Sequence, residues 1–256
     1  MALLSVREVT KAFGGLIAAS AISFDMPEGE LLAVIGPNGA GKTTLFNIIS
    51  GYFAPTSGRV LLDGSDITGL AQYRIAALGL VRTYQLAQPF RDLSVGENVR
   101  VGFHLGTRGG PLSALLRPRW VRQQELKVDK EARELLEFVG LERHADEKAE
   151  TLSYGQQRLL ELARALAARP RLMLLDEPAA GLDKSETEAL AGIVRGVNER
   201  GVSVLLIEHD MSFVMNLARD IVVLDFGRVI AKGAPAEVKA HPDVVAAYLG
   251  AEVADA

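Results

Sequence analysis

Residues 31–43 read Leu-Leu-Ala-Val-Ile-Gly-Pro-Asn-Gly-Ala-Gly-Lys-Thr and carry the strongest local signal in the chain. Leu31 to Ile35 is a short, continuous apolar run, which is typical of a strand buried on both faces. The segment from Gly36 fits G-x-x-x-x-G-K-[ST], and a helical pattern begins at Lys42. A strand, a glycine-rich turn and a helix in this order predict a phosphate-binding loop.

The residue types of this loop are suited to binding a nucleoside triphosphate. Its glycines allow backbone N–H groups to converge on phosphate oxygens, and the N-terminus of the helix adds partial positive charge. Lys42 is expected to neutralise the β- and γ-phosphates, and the Thr43 hydroxyl to bind Mg²⁺. The alternative is a glycine-rich turn that contains Lys-Thr by chance, against which the flanking strand and helix argue. The predicted ATP-binding residues of the loop are Gly36, Pro37, Asn38, Gly39, Ala40, Gly41, Lys42, Thr43 and Thr44.

The remaining apolar runs predict an α/β fold. Short runs at Leu172–Leu175, Val202–Ile207 and Ile221–Leu224 alternate with helical stretches, as expected of a parallel sheet with helices on both faces. The first stretch alternates in a strand-like way, with Val6, Val9 and Phe13 followed by Ile22, Phe24 and Met26. From about Ser94 to Leu166 the periodicity is helical, which predicts a helical subdomain inserted into the core.

Composition excludes several classes of protein. The 256 residues carry a net charge of −4, which gives no reason to expect nucleic acid as a partner. Cysteine is absent, so disulfides and thiolate metal sites are excluded. No apolar run reaches the length of a membrane span, and the N-terminus lacks a secretory pattern. If the protein works at a membrane, we expect a partner to hold it there.

Two acids end the second apolar run. Asp176 and Glu177 follow Leu172–Leu175, at the carboxyl end of a strand, where α/β sheets bind ligands. Asp176 is placed to hold Mg²⁺, and Glu177 to polarise the water that attacks the γ-phosphate. A helix cap or solvated turn is the alternative for such a pair alone. Together with the phosphate loop, the two acids supply the complementary half of one site.

Three single residues complete the predicted site. Gln85 ends the strand-like segment that begins at Val81 and is expected to contact Mg²⁺ or the attacking water. His209 follows Val202–Ile207 and is expected to donate a hydrogen bond to the γ-phosphate. Phe13 is a candidate to stack on adenine. Their simpler interpretations are a surface glutamine, a structural histidine and a core aromatic.

Residues 152–156, Leu-Ser-Tyr-Gly-Gln, resemble the LSGGQ signature of ABC ATPases, with Tyr154 replacing the first glycine. The other motifs fall in that family's order along nearly the whole chain. The resemblance implies a P-loop core at about 1–93 and 168–256, with an antiparallel β subdomain, and a helical signature subdomain at about 94–167. It also implies a head-to-tail dimer with Asp183 in a turn at the dimer interface. The signature residues expected to face the partner's ATP are Ser153, Tyr154, Gly155 and Gln156.

Within that family the chain is most similar to ATP-binding subunits of branched-chain amino acid importers. The similarity rests on FGGLIA, LFNIISGYFAPTSG, LSYGQQRLLELARAL and the ending HPDVVAAYLG. Urea importers and the lipopolysaccharide-export ATPase resemble it as well, and a soluble ABC ATPase outside transport is a further alternative. The resemblance implies ATP and Mg²⁺ as cofactors and a location at the cytoplasmic face of the membrane. Implied partners are permease subunits, a like or unlike second ATPase subunit and, indirectly, a substrate-binding protein.

A basic segment lies outside these motifs. Residues 106–120 are rich in Gly, Pro and Arg and predict a loop. The arginines there are expected either to face lipid head groups or a membrane partner, or simply to be solvated. They are Arg108, Arg117 and Arg119, together with Arg122 just after the segment.

Overall fold

The structure, a computed structural model, describes residues 2–83, 89–106 and 118–254. Its strands form two sheets. The strands are β1 (Ala2–Phe13), β2 (Leu16–Pro27), β3 (Leu31–Ile35), β4 (Ser57–Leu62), β5 (Ser65–Asp66), β6 (Leu80–Arg82), β7 (Leu172–Asp176), β8 (Ser203–Ile207), β9 (Asp220–Asp225) and β10 (Arg228–Gly233).

The helices alternate with these strands along the chain. They are α1 (Lys42–Ile49), α2 (Gln72–Ala77), α3 (Val95–Gly102), α4 (Arg119–Phe138), α5 (Tyr154–Ala167), α6 (Lys184–Glu199), α7 (Met211–Leu217), α8 (Pro235–Ala240) and α9 (Pro242–Ala254). Short 3₁₀ turns lie at Phe103–Gly106, Glu142–His144 and Ala149–Thr151. Within the described ranges, none of the helices combines the length and apolar character required to cross a bilayer.

The larger sheet has the order β10-β9-β3-β8-β7-β6. The strands from β9 to β6 pair in parallel, and β10 is antiparallel to β9. Every residue of β3, β7 and β8 is buried, which explains why these strands appear in the sequence as continuous apolar runs. The carboxyl ends of parallel strands lie at one edge, so the segments that follow β3, β7 and β8 meet there.

The smaller sheet is antiparallel, with the order β2-β1-β4-β5. Its strands carry buried residues such as Val6, Ile22 and Val60, which join the same hydrophobic cluster as Phe46 of α1. The predicted combination of an antiparallel β subdomain with a P-loop core is confirmed.

The chain divides into two units. The first comprises residues 1–82, 171–181 and 187–256, and contains both sheets. The second comprises residues 83–170 and 182–186, and its long elements are the helices α3, α4 and α5. In the second unit, α3 begins with a complete capping box, in which Ser94 and Glu97 satisfy each other's backbone N–H groups.

The prediction of a loop over 106–120 is wrong for the last residues of that range. Helix α4 begins at Arg119, immediately after Pro118, so Arg119, Trp120 and Arg122 are helical. Proline suits this place because it lacks an N–H group, and the first N–H groups of a helix have no partner within the helix. Arg108 and Arg117 lie outside the described residues.

Candidate active site

The phosphate loop follows the central part of the parallel sheet, between β3 and α1. Gly36 has φ +151°, and a Cβ there would collide with the carbonyl oxygen of Leu224 on β9. Gly41 has φ +96°, and a Cβ there would collide with the carbonyl oxygen of Ala18. Both glycines are therefore required by the close approach of neighbouring backbone as well as by their dihedral angles.

Helix α1 offers its N-terminus to this loop. Its N-cap residue is Gly41. No side chain caps this end of the helix, and the first turn of α1 contains no acidic residue. The first N–H groups of a helix lack partners within the helix, and its dipole favours an anion at this end. Asn38, Gly39 and Thr43 are exposed around this terminus. The arrangement is suited to binding phosphate groups.

Lys42 lies buried against the loop that it follows. Its Nζ donates hydrogen bonds to the carbonyl oxygens of Gly36 and Pro37, at 2.7 and 3.0 Å. Burial lowers the pKa of its ammonium group, and the charges of Glu177 and then Asp176 oppose this change. The predicted phosphate-binding lysine and the two predicted acids thus act on one another electrostatically within one site.

Asp176 is the last residue of β7 and forms a buried ion pair. Its Oδ2 lies 2.6 Å from Nη2 of Arg82, with the two side chains 7% and 6% exposed. Arg82 ends the neighbouring strand β6, and its Nη1 also donates to Asn47 Oδ1 and Ser50 Oγ of the α1 region, at 2.7 and 2.9 Å. Arg82 was absent from the predicted site. An arginine at the end of a short apolar strand was its only signal.

Glu177 adopts a strained backbone conformation. Its φ is +47°, in the left-handed region that residues with a side chain rarely occupy. Its N–H donates to the carbonyl oxygen of Ile207 at 3.0 Å, and its carbonyl oxygen accepts from Ala180 at 3.1 Å. Strain of this kind costs about 1–3 kcal/mol and is concentrated at functional sites.

His209 follows β8, which lies between β3 and β7 in the sheet. Its side chain is exposed, with Nδ1 3.7 Å from the carboxylate of Glu208. Glu208 is fully buried and was also absent from the predicted site. It is the first polar residue after an apolar run, and nothing in the sequence distinguishes it from a polar residue that simply ends a strand.

Phe13 ends β1 and is 48% exposed. Its ring meets that of Phe53 edge to face at 5.5 Å, and Lys11 Nζ lies 5.2 Å from its centre. The ring therefore belongs to a surface cluster, in contrast to the core position considered as its alternative.

The signature residues lie in the second unit, at the start of α5. Ser153 is the N-cap, its Oγ accepting from the backbone of Gln156 at 3.3 Å while Gln156 Oε1 accepts from Ser153 N–H at 2.9 Å. Tyr154 is exposed, and its hydroxyl accepts from Arg158 at 2.8 Å. A Cβ on Gly155 would collide with the Glu186 carboxylate. The sequence Ser-Tyr-Gly-Gln thus produces a capped helix terminus with the Glu186 carboxylate close to its glycine.

Asp183 belongs to the same unit and precedes α6. Its Oδ1 accepts from Glu186 N–H at 2.8 Å, and its own N–H donates to Glu186 Oε2 at 3.1 Å. Glu186 therefore contacts both the signature glycine and the turn at Asp183. Gln85 lies outside the described residues.

The described residues contain no group of three His, Cys, Asp or Glu side chains that together hold a metal ion. Thr43 and Asp176 nevertheless offer hydroxyl and carboxylate oxygens, the hard donors that Mg²⁺ prefers. An ion with few protein ligands, completed by water and substrate phosphates, is the usual form of a Mg²⁺ site in nucleotide-hydrolysing proteins.

The parallel sheet, the phosphate loop and the acids at the end of β7 define the P-loop NTPase class. Residues 19–180 match the family described as ABC transporter, and residues 228–254 match the branched-chain amino acid ATP-binding cassette transporter family. The chain belongs to the ABC transporter family. It is the ATP-binding subunit of a transporter, and it hydrolyses ATP, as predicted.

Individual relatives support this assignment. The high-affinity branched-chain amino acid transport ATP-binding protein BraF of Pseudomonas aeruginosa is 42% identical over 97% of this chain and 98% of its own length. The ADP conformation of an ATP-binding cassette of an ABC transporter has a TM-score of 0.84 and 33% identity, over 98% of this chain and 99% of that one. A dimeric cassette in a post-hydrolysis state, bound to ADP and Pi, has a TM-score of 0.75 and 27% identity, over 91% and 98%.

Proposed function

We propose that this subunit hydrolyses Mg-ATP to drive the import of branched-chain or other hydrophobic amino acids. The observation that carries the proposal is identity of 42% to BraF across 97% of the chain, together with the match of the C-terminal segment 228–254. That segment comprises β10, α8 and α9, outside the nucleotide motifs, so its similarity does not follow from ATP binding alone.

The side chains around the loop have separate roles in hydrolysis. Lys42 neutralises the β- and γ-phosphates, and the N-terminus of α1 receives the phosphate oxygens. Glu177 polarises the attacking water, and His209 donates a hydrogen bond to the γ-phosphate. Thr43 and Asp176, with Gln85, would hold Mg²⁺, which would neutralise charge on the phosphates. Phe13 stacks on the adenine ring.

The signature completes the site of a second subunit. The capped N-terminus of α5, with Ser153 and Gly155, is a second anion-binding terminus and faces the ATP on the phosphate loop of a partner chain. Tyr154 and Gln156 border this surface, and Asp183 lies in the turn at the interface. The partner is either a second copy or a related ATPase subunit. The dimeric cassette bound to ADP and Pi supports this arrangement.

The subunit acts at the cytoplasmic face of the membrane, held there by permease subunits, and a substrate-binding protein acts on it indirectly. The second unit supports permease docking near Phe90, which is exposed and packs against the guanidinium of Arg164 at 5.5 Å. Buried Asn98 bonds both the N–H and the carbonyl oxygen of Phe90, at 2.8 and 3.0 Å, so the backbone under this ring is fixed.

The same unit also contains a groove beside α3 and α4. It has a volume of about 350 Å³ and is lined by polar, charged and apolar side chains, including Ser94, Arg100, Asp129, Leu136 and Asp146. Short helices bind such grooves through a few anchoring residues. We assign the surface around Pro89 and Phe90 to a cytoplasmic helix of the permease, because Phe90 is an exposed aromatic on a backbone held by Asn98. Leu86, which completes the predicted segment, lies outside the described residues.

Docking is tested by Phe90→Asp in the reconstituted transporter, with Leu126→Asp as the matched control. Leu126 is an exposed leucine on α4. Phe90→Asp should abolish transport while ATP hydrolysis by the free subunit persists, and Leu126→Asp should preserve both. Loss of hydrolysis in the free Phe90→Asp subunit would instead assign Phe90 a structural role.

The chemistry is tested by two substitutions. Glu177→Gln should bind Mg-ATP almost normally and hydrolyse it at least about 100-fold more slowly, the usual scale for loss of an acid–base group. Lys42→Ala should weaken ATP binding itself. Normal turnover by Glu177→Gln would remove the role assigned to this carboxylate.

The two-chain site is tested by complementation between two inactive proteins. A Lys42→Ala chain keeps its signature, and a Ser153→Arg chain keeps its phosphate loop. A mixed dimer has one site with both lesions and one site with neither, so mixing should restore part of the activity. The same pair of lesions divided between unlike subunits covers a heterodimeric transporter. Hydrolysis that is first order in protein at nanomolar concentrations, with active Ser153→Arg, would contradict the shared site.

The substrate is tested by reconstitution of the subunit with its permease and binding protein in vesicles. Leucine, isoleucine and valine should stimulate ATP hydrolysis and enter the vesicles. Stimulation by urea alone, or by lipopolysaccharide without a binding protein, would assign the subunit to the corresponding transporter. Hydrolysis that neither the permease nor any of these substrates changes would indicate an ABC ATPase outside transport.

A further inference from the structure

Glu208 is a buried charged residue at the reactive edge of the parallel sheet. It follows β8 directly, its exposure is 0%, and β8 lies between β3, which leads to the phosphate loop, and β7, which ends in Asp176. A carboxylate in this position is costly unless several donors satisfy it. Its hydrogen bonds therefore indicate what the residue does.

The carboxylate bridges two backbone turns. Oε1 accepts from the N–H of Ala179 at 2.8 Å, two residues after Glu177. Oε2 accepts from the N–H of His209 at 3.1 Å and, at the limit of a hydrogen bond, from that of Asp210 at 3.5 Å. One side chain thus holds the turn that follows the water-activating glutamate and the turn that carries the histidine.

A backbone bond reinforces this bridge. The N–H of Glu177 donates to the carbonyl oxygen of Ile207, the residue immediately before Glu208, at 3.0 Å. The two turns are therefore tied at two successive residues, Ile207 at the end of β8 and Glu208 directly after it. The strained φ of +47° at Glu177 requires surrounding contacts to maintain it, and these bonds supply them.

The electrostatics agree with this geometry. Burial raises the pKa of Glu208, and the backbone N–H groups of Ala179, His209 and Asp210 oppose that rise. Hydrogen bonds from backbone N–H groups to a carboxylate are stronger and more directional than those between neutral groups. Removing the acceptor would leave a buried N–H group without its partner at Ala179 and would release the part-buried N–H groups of His209 and Asp210.

We propose that Glu208 is a positioning residue that sets the spacing between Glu177 and His209 during ATP hydrolysis. It acts through the backbone of both turns and does not itself contact the nucleotide. This inference rests on the roles proposed above for Glu177 and His209. It extends them by naming the group that keeps the water-activating carboxylate and the γ-phosphate donor at a fixed spacing.

The test compares Glu208→Gln and Glu208→Ala with Glu30→Gln in the full-length chain. Glutamine has the shape of glutamate but one carbonyl oxygen, so it satisfies one turn and presents an NH₂ group to the other. We expect kcat to fall about tenfold in Glu208→Gln, and further in Glu208→Ala, since orphaned buried donors are costly. The KM for ATP should stay within about twofold, because the phosphate loop is untouched.

Glu30 is a matched control because it is also a buried glutamate of the sheet, 7% exposed, but lies just before β3 at the opposite end of the strands. Glu30→Gln should leave kcat and KM unchanged. Rates are expressed per molecule of bound nucleotide, so that a loss of folded protein does not imitate a loss of turnover. Unchanged kcat per bound ATP in Glu208→Gln overturns the proposal.

A double substitution separates positioning from a purely structural role. If Glu208 acts through the His209 turn, the effect of Glu208→Gln should shrink from about tenfold to about threefold or less in a His209→Ala background. Multiplicative effects would overturn the proposal. Full activity of His209→Ala or Glu177→Gln alone would instead contradict the proposed roles of those residues, so the two failures are distinguishable.

Discussion

Substitution of Arg82 by methionine would remove one half of a buried ion pair and leave Asp176 without its ion-pair partner. The guanidinium lies 2.6 Å from the carboxylate, and both side chains are less than a tenth exposed. It also donates to Asn47 and Ser50. Methionine fills similar space without any of these donors, so packing changes little and the lost interactions dominate the effect.

The expected loss of stability is large for one substitution. Removal of one partner from a buried ion pair costs about 3–5 kcal/mol, mainly because the other charge stays buried. Taking about 4 kcal/mol as the centre of that range, and about 2–4 °C per kcal/mol for a chain of this size, the melting temperature should fall by about 8–16 °C.

Urea denaturation followed by far-ultraviolet circular dichroism measures this free energy of unfolding. The matched control is Arg7→Met, because Arg7 pairs with Asp25 at the same distance of 2.6 Å but the two side chains are 50% and 46% exposed. That exposed pair should contribute no more than about 1 kcal/mol. An Arg82→Met cost as small as that of Arg7→Met would refute the reasoning.

A double substitution tests the cause of the loss. Asp176→Asn removes the charge that Arg82 neutralises, so Arg82→Met should cost about 2 kcal/mol less in that background. Equal costs in both backgrounds would show that the loss arises from the bonds to α1 and not from the ion pair.

Further perturbations have definite expected outcomes. Gly102→Ala should destabilise the protein because its methyl group would collide with the backbone of α5, whereas Gly192→Ala, in open space on α6, should stabilise it by up to about 1 kcal/mol; urea denaturation distinguishes the signs. Burial, and then the charge of Asp220, raise the pKa of Glu30, so the folded state retains this proton more tightly than the unfolded state. The stability of the natural protein should therefore fall as pH rises from the ordinary glutamate pKa through the folded one, and Glu30→Gln should flatten that part of a pH series of unfolding measurements. Phe13→Ala should raise the KM for ATP about tenfold with little change in kcat, while Phe13→Trp should retain stacking and a normal KM; equal KM values in all three proteins would exclude stacking.

Much of the fold was predictable because short runs of consecutive residues determine its strands and motifs. The runs that became β3, β7, β8 and β9 were recognisable since strands buried on both faces are continuously apolar. The boundary of α4 was missed because the composition of 106–120 favours a loop, while Pro118 in fact precedes the first helical turn. The phosphate loop, the acids after β7 and the signature were found because each consists of consecutive residues at the end of an element.

Local sequence therefore established the motifs, their order and the family to which the chain belongs. Only the tertiary structure revealed Arg82 and Glu208, because their partners lie at long range: 94 residues separate Arg82 from Asp176, and 29 separate Glu208 from Ala179. The sheet order brings β6 beside β7 and β8 between β3 and β7, and that order has no local periodicity. A buried charge at a strand end becomes interpretable once the strands that neighbour it are known, because its energy depends on the donors and charges they bring within hydrogen-bonding distance.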